Sequence, residues 1–180
     1  MIPPILIGTK VKLRPKRLND AINDFEWRKD AELCQLDATL PTLSTFEEYL
    51  RLAAVAPSYS GNRSCHFAVE TSKGKHIGNL SYFDIDEISG EAEIGVMIGN
   101  KAYWNLGYGA DAMQTILNHI FTSTSLKRVY LKTLTWNTRA QKCFEKCGFT
   151  PCGELSRDGF KFILMEILRP QKNPGQLTKQ

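Results

Sequence analysis

EAEIGVMIGNKAYWNLGYGADAM, residues Glu91 to Met113, decides how the rest of the chain is read. Its opening residues alternate. Ala92, Ile94, Val96 and Ile98 fall on one face of a strand, and Glu91, Glu93, Gly95 and Met97 on the other. An aromatic loop follows, then Gly107 and Gly109, then a run with Met113, Ile116, Leu117, Ile120 and Phe121 at helical spacing. A glycine-rich entry into a helix sets a row of backbone N–H groups at the positive end of the helix dipole, and such a row binds phosphate.

Working upstream, Cys65 to Glu70 and His76 to Asp84 read as strands joined by a Lys73-Gly74 turn. Ser89-Gly90 turns the second of them into Glu91, which makes an antiparallel meander. Lys10 to Arg14 is a first strand stopped by Pro15, with Val11 and Leu13 facing inward and Lys10, Lys12 and Arg14 on a wet face. A helix capped by Asn19 or Asp20 runs through Phe25, Trp27 and Leu33. Ser44 or Thr45 with Glu47 or Glu48 forms a capping box for a further helix that ends before Pro57, and a polar loop follows from Pro57 to Arg63.

Downstream, Val129 to Leu134 is a strand, and Asn137 opens a short helix closed by Gly148. Phe149 to Leu155 and Phe160 to Leu168 form a hairpin about Asp158-Gly159. The order β-α-α-β-β-β-α-β-α-β-β specifies an α/β (α+β) fold: a mixed, mostly antiparallel sheet of six to seven strands with about four helices. Its central β-α-β crossover is right-handed and sets Glu91–Ile98 parallel to Val129–Leu134. The chain divides into an N-terminal segment (1–9), one domain (10–169) and a polar tail (170–180).

With 180 residues the chain has the size of one domain, and 42% hydrophobic with 23% charged residues is ordinary for a globular protein. No apolar run approaches the roughly 20 residues of a membrane span. MIPPILIGTK lacks a basic region and a small-residue cleavage site, so it reads as a mature start rather than a signal peptide. Five cysteines, without a C-x-x-C pair or a histidine at ligand spacing, point to reduced thiols in the cytoplasm and to no metal. The net charge of +4 is mild, and the basic run Lys10 to Arg17 reads as one strand face rather than a nucleic-acid patch.

Gly107-x-Gly109-x-x-Ala112 also fits a dinucleotide motif. That motif follows the first strand of a βαβ unit and needs an acidic residue about 20 positions on. Here it lies mid-chain, and the next strand ends in Leu134-Thr-Trp-Asn137 without an acid. A P-loop is excluded because no Gly-Lys-Ser/Thr follows. A glycine pair that only makes a tight loop stays open.

Trp104-x-x-Gly107-x-Gly109-Ala110 after an alternating strand, then Asn137 and Phe144-Glu-Lys-Cys-Gly-Phe149, resembles the GNAT superfamily of N-acetyltransferases. The element order agrees with that fold from about Lys10 to Leu168. The opening segment with Trp27-Arg-Lys-Asp30 looks like the branch that contains the ribosomal-protein-alanine N-acetyltransferases. The resemblance implies acetyl-CoA as cosubstrate. Its pyrophosphate would lie on the backbone amides of Asn105, Leu106, Gly107, Tyr108, Gly109 and Ala110. The family usually has Gln or Arg where this chain has Trp104, whose indole would pack on the cofactor or the core. The backbone of Val96, Met97 and Ile98 would pair with the pantetheine arm like an added strand. Asn137 would hydrogen-bond the pantetheine, cap its own helix, or do both.

Acyl transfer to an amine needs a base, a donor for the developing oxyanion and an exit for the thiolate; no nucleophilic residue is required if the amine attacks directly. Glu93 is the first choice for the base and Glu91 the second, with His66, Asp84 and Asp86 in reserve; a solvated or ion-paired strand residue is the other reading of both glutamates. By family analogy a backbone N–H near Met97 serves the oxyanion. The family commonly has a tyrosine where this chain has Phe144, which would pack at the sulfur end of the cofactor. The thiolate would then leave unassisted or take its proton from water, Cys143 or Tyr130. The acceptor is a primary amine, on a small molecule or a protein N-terminus, which Trp27, Asp30 and Asp37 would grip unless they form a solvated helix face. A homodimer is allowed. A catalytically silent acyl-CoA sensor or scaffold, and a nucleotide-binding protein, are the competing functions.

Overall fold

The computed structural model describes residues 3–59 and 64–170. Among these, eight strands form one sheet: β1 (Leu6–Ile7), β2 (Val11–Pro15), β3 (Cys65–Thr71), β4 (His76–Asp86), β5 (Glu91–Met97), β6 (Arg128–Leu134), β7 (Thr150–Arg157) and β8 (Phe160–Leu168). The helices are α1 (Asp20–Lys29), α2 (Ala31–Leu36), α3 (Phe46–Tyr59), α4 (Tyr108–Ser123) and α5 (Thr138–Lys146). The sheet order is β1-β2-β3-β4-β5-β6-β8-β7. Neighbours are antiparallel except β5 and β6, which are parallel and joined through α4.

The alternation of β5 is realised. Ala92 and Ile94 are buried, and Val96 and Ile98 pack against the same cluster. On that face lie Val11 and Leu13 of β2, Phe67 and Val69 of β3, and Leu80 and Tyr82 of β4. Helix α4 covers them with Ala112, Met113, Ile116, Leu117 and Ile120. Each large apolar side chain so buried is worth about 1.5–3 kcal/mol. Helix α5 adds Phe144 and Cys147, and it ends where Gly148 takes φ +95°. Asp158 and Gly159, both with positive φ, turn the β7–β8 hairpin.

The parallel pair is short. Only Glu91, Ala92 and Glu93 are in register with Arg128, Val129 and Tyr130. Beyond Glu93, strand β5 stays with β4 as far as Met97, while β6 stays with β8 as far as Leu134. The two central strands therefore diverge, and among the described residues no strand lies beside the β6-facing backbone edge of Val96 and Met97. Gly78 permits the crossing at this end, because a Cβ there would fall on the carbonyl oxygen of Met97.

Several expectations need correction. The sheet has one strand more than expected, because the apolar residues Leu6 and Ile7 pair with Lys12 and Leu13. The expected first helix is two: Asp30 turns extended (ψ 114°) and caps α2 by accepting from Leu33 N–H at 3.0 Å. Thr45 and Glu48 make the capping box, with Glu48 N–H to Thr45 Oγ1 at 3.3 Å and Thr45 N–H to Glu48 Oε2 at 2.7 Å. Helix α3 continues past Pro57 to Tyr59, since a proline in a last turn forfeits one intrahelical bond without stopping the residues beyond it. The rest of the expected Pro57–Arg63 loop, and nearly all of the polar tail, lie outside the described residues.

Arg14 is not on a wet face. Helix α1 covers it, leaving 3% exposed. Its guanidinium grips Asp20 with two bonds of 2.7 Å and also donates to Glu70. Lys12 pairs with Glu70 at 2.6 Å, and Lys16 with Asp24 at 2.5 Å. Three cations of the basic run, Lys12, Arg14 and Lys16, are thus paired with carboxylates inside the molecule, which strand alternation alone had assigned to solvent.

Candidate active site

The site lies where β5 and β6 part. After Ile98 the chain makes a 3-10 turn (Lys101–Tyr103) capped by Asn100, whose Oδ1 accepts from Ala102 N–H at 3.2 Å. Asn105 (φ +58°) and Gly107 (φ +84°) both take left-handed backbone. They fold the chain into the first turn of α4, where the earliest backbone bond is Asp111 N–H to the Gly107 carbonyl at 3.0 Å. The N–H groups of Tyr108, Gly109 and Ala110 have no partner inside the helix and point outward. Asp111 accepts backbone N–H bonds from Thr9, Lys10 and Val11 at 3.1, 2.7 and 2.9 Å. That clamp brings Lys10 to the loop, where its Nζ donates to the Leu106 carbonyl at 2.8 Å.

A cleft of about 560 Å³ opens at this helix end. One wall is Val96, Met97 and Ile98. The floor is Trp104, Asn105 and the segment from Gly107 to Ala110. The opposite wall is α5 with Asn137, Arg139, Lys142, Cys143, Phe144 and Lys146, and α2 contributes Leu33, Leu36 and Asp37. The helix dipole and the lysines and arginine of α5 make one side of the cleft attractive to anions.

Of the residues singled out in the sequence, Val96, Met97, Ile98, Trp104, Asn105, Gly107, Tyr108, Gly109, Ala110, Asn137, Phe144 and Asp37 line this cleft together. Leu106 does not; its side chain is exposed and only its carbonyl is engaged. Asn137 caps α5, accepting from Ala140 N–H at 3.2 Å, which leaves its amide N–H₂ available to the cleft. Trp104 donates its indole N–H to the Ile98 carbonyl at 2.5 Å. Phe144 is buried edge-on against Phe149, with ring centroids 6.0 Å apart.

The two glutamates lie outside the cleft wall. Glu93 pairs with Lys132 Nζ at 2.6 Å, and Glu91 with Arg128 at 2.7 Å. Glu93 shares its strand face with Met97, and between them Gly95 has no side chain to fill the trough. Tyr130 stands beside Glu93 in the parallel pair. Burial, with help from the charges of Glu93, Asp84 and Glu91, raises its phenol pKa and keeps it protonated.

The other expected acceptor residues are spoken for. Trp27 packs tilted against His76, with ring centroids 4.9 Å apart, and covers Gly99, where any Cβ would collide with its ring. Asp30 pairs with Lys101 at 2.7 Å. Of the reserves, His66 meets Ser64 at 3.1 Å, Asp86 accepts from Ile88 N–H at 2.8 Å, and Asp84 sits with φ +50° at a break in the β4–β5 register. Sequence reasoning passed over Leu33, Leu36, Tyr103, Arg139, Lys142 and Lys146. The spacing of Arg139, Lys142 and Lys146 along one helix face after Asn137 was the signal that could have found the basic wall.

A family model described as Acetyltransferase (GNAT) domain matches residues 10–150. An uncharacterized N-acetyltransferase p20 from Bacillus licheniformis is 33% identical over 79 residues, 44% of this chain and 44% of that protein. A spermidine N(1)-acetyltransferase from Vibrio cholerae is 27% identical over 99 residues, 55% of this chain and 57% of its own length. The chain thus spans about half the length of these curated relatives. Among solved structures, spermidine N-acetyltransferase from Vibrio cholerae in complex with CoA and spermine superposes with a TM-score of 0.78 at 21% identity, covering 90% of this chain and 97% of that one. Aminoglycoside acetyltransferase AAC(6')-Ib in complex with coenzyme A gives 0.73 at 17% identity, covering 88% and 95%. At these identities the structural likeness speaks for the fold.

Proposed function

The chain belongs to the GNAT acetyltransferase family, and from that premise we propose that it is an acetyl-CoA-dependent N-acetyltransferase that moves an acetyl group to a primary amine by direct attack in a ternary complex. The observation that carries this reading is the divergence of β5 from β6 directly above the free N-terminus of α4. One end of the gap presents amide N–H groups to a pyrophosphate, and the strand edge at Val96 and Met97 presents peptide groups to a pantetheine amide. The residues present fit acetyl-CoA on that ground. Cytoplasmic residence is part of the proposal, supported by five free cysteines.

In this reading Asn137 uses its amide N–H₂ on the pantetheine while its oxygen caps α5. The Met97 N–H faces the thioester oxygen. Glu93 removes the amine proton through water held in the trough over Gly95. Phe144 packs at the sulfur end. The acceptor enters between α2 and β5, where Asp37 is the carboxylate in the wall and Leu33 and Leu36 offer apolar contact. The acceptors named for the relatives, spermidine and spermine among them, make aliphatic polyamines the first class to assay. The narrower likeness to the ribosomal-protein-alanine branch rests on Trp27 to Asp30 alone, and protein N-termini stand beside polyamines as acceptors to assay.

The direct test is release of free thiol from acetyl-CoA with a panel of primary amines. Thiol release that depends on the amine supports the enzyme. CoA binding without turnover would favour the catalytically silent sensor. Glu93→Gln should lower kcat by about 10²- to 10⁴-fold, the usual contribution of a positioned base, and some melting temperature with it, because the buried Glu93 also loses its ion pair with Lys132. Phe144→Tyr should raise kcat by no more than a few-fold, because a thiol of pKa near 8.5 yields a thiolate that leaves without a proton. A large gain from Phe144→Tyr together with an indifferent Glu93→Gln would overturn both assignments.

A further inference from the structure

Trp104 and Arg139 meet where the floor of the cleft joins the α5 wall, in a way that the roles above do not use. The indole is fixed in orientation by its bond to the Ile98 carbonyl. The guanidinium carbon of Arg139 lies 3.6 Å from the centre of that ring, well inside the range of a cation–π contact. Lys101 also approaches the ring, at 5.8 Å, but its ammonium is held by Asp30 and Glu32 at 2.7 Å each. Among the described residues Arg139 has no carboxylate partner. Each other arginine of the described residues pairs with a carboxylate or donates to a carbonyl: Arg14, Arg17, Arg28, Arg51, Arg128, Arg157 and Arg169.

A stacked guanidinium is occupied on its face only. All five of its N–H donors lie in the plane and stay available to an acceptor at the edge. The stack also fixes the fork before any ligand arrives, which lowers the entropy lost on binding. Arg139 lines the same cleft as Gly107 and Gly109, with Lys142 and Lys146 following on its helix face. On the other side of the loop stands Lys10, already bonded to Leu106. An anion seated on the α4 amides would therefore find one unengaged, pre-oriented arginine within the same wall.

We propose that Arg139, held on the face of Trp104, clamps a phosphate group of the acyl-CoA and is a specificity-determining residue for phosphorylated over unphosphorylated thioesters. This rests on the N-acetyltransferase reading above. Trp104 acts as a positioning residue, since it meets the ligand through Arg139.

The experiment compares acetyl-CoA with S-acetylpantetheine, a thioester without phosphate, in steady-state kinetics, and measures CoA binding by calorimetry. Arg139→Gln should raise KM for acetyl-CoA about 10- to 100-fold, the range for a hydrogen bond to a charged group, with kcat close to wild type. The kcat/KM for S-acetylpantetheine should be the same in both proteins. Trp104→Leu should cost about as much as Arg139→Gln, and the double variant no more than either, because the two act as one unit. Trp104→Phe keeps an aromatic face under Arg139 and should hold the KM for acetyl-CoA within a few-fold of wild type; a loss as large as that of Arg139→Gln would count against the stack. An unchanged KM for acetyl-CoA in Arg139→Gln, an equal loss on S-acetylpantetheine, or additive losses in the double variant would each overturn the proposal. Absence of CoA binding by the wild-type protein would instead sink the N-acetyltransferase reading itself.

Discussion

Arg14→Met should cost about 3–5 kcal/mol of folding stability, the range for removing one partner of a buried ion pair. Total stabilities run at about 5–15 kcal/mol, so the variant sits near the threshold of folding. Arg14 is enclosed between β2 and α1 and holds two carboxylates that are also enclosed, Asp20 and Glu70. Methionine fills much of the volume but leaves Asp20 with the His76 ring at 3.5 Å and the Arg17 N–H, and Glu70 with Lys12 as its close remaining cation. The pH dependence identifies the cause. Burial alone pushes the Asp20 carboxyl up, but the Arg14 side chain, the Arg17 N–H and the charges of His76 and Arg14 outweigh it and hold the group at about 2 against an ordinary 3.8. A carboxyl depressed on folding contributes stability that is complete above its unfolded pKa and is lost as pH falls toward the folded one. The wild-type protein should weaken below about pH 4 for this reason. In Arg14→Met the balance reverses: burial then dominates, the carboxyls are raised, and acidification relieves the damage. Urea unfolding at pH 7 and pH 4 should show the gap between the two proteins closing as pH falls. A gap under 1 kcal/mol at pH 7, or one that widens on acidification, contradicts the account. Adding Asp20→Asn to Arg14→Met should recover part of the loss.

Gly109→Val should raise KM for acetyl-CoA by about 100-fold or more while the fold stays intact, since two or more hydrogen bonds to charged oxygens are removed. The separation of the two effects comes from geometry. Gly109 lies inside α4, and a Cβ there would rest 3.7 Å from Cys143 Sγ and from Ile98 Cγ1, which is ordinary contact. The branched side chain then occupies the floor of the cleft, where a phosphate must approach the backbone within hydrogen-bonding distance. Gly107→Ala makes the useful contrast. Its φ of +84° puts an L side chain in the left-handed region, at about 1–2 kcal/mol, so that variant should lose melting temperature and affinity together. Thermal melts with and without CoA check both: Gly109→Val should melt near wild type and fail to shift with CoA. A normal CoA shift in Gly109→Val would remove the helix end from the binding site.

Local signals made the frame legible. The alternation in Glu91–Met97, the apolar spacing of α4 and the Asp158-Gly159 turn are each decided by residues a few positions apart, and the structure follows them. Gly107 and Asn137 were legible because backbone geometry at a loop or cap selects residue type strongly, whereas Gly109, inside α4, was legible through its spacing from Gly107. What escaped depends on docking between distant segments. Whether Lys12 and Arg14 meet water or a helix depends on where α1 lies, and no pattern within β2 carries that. Glu93 gives no local sign that Lys132 will stand opposite, because the parallel register is set by the length and packing of α4. Trp104 reads as a departure from a family pattern until Arg139 of a different helix is found on its face. The break at Asp30 was written in its own capping side chain and was overlooked because the apolar spacing ran straight through it.

The clamp at Asp111 has a kinetic consequence. Its three bonds join positions 100, 101 and 102 residues apart, so they report the arrival of one end of the chain at an element made far later in the sequence. Contacts of such separation form late, after the entropy of closing a long loop has been met. The meander and the α4 crossover can assemble from nearer neighbours, but Lys10 reaches the Leu106 carbonyl only when the amino-terminal edge docks. The turn into α4 is thus completed by residues that precede it by about 100 positions, and the cleft at that helix end takes its full form only as the whole domain closes.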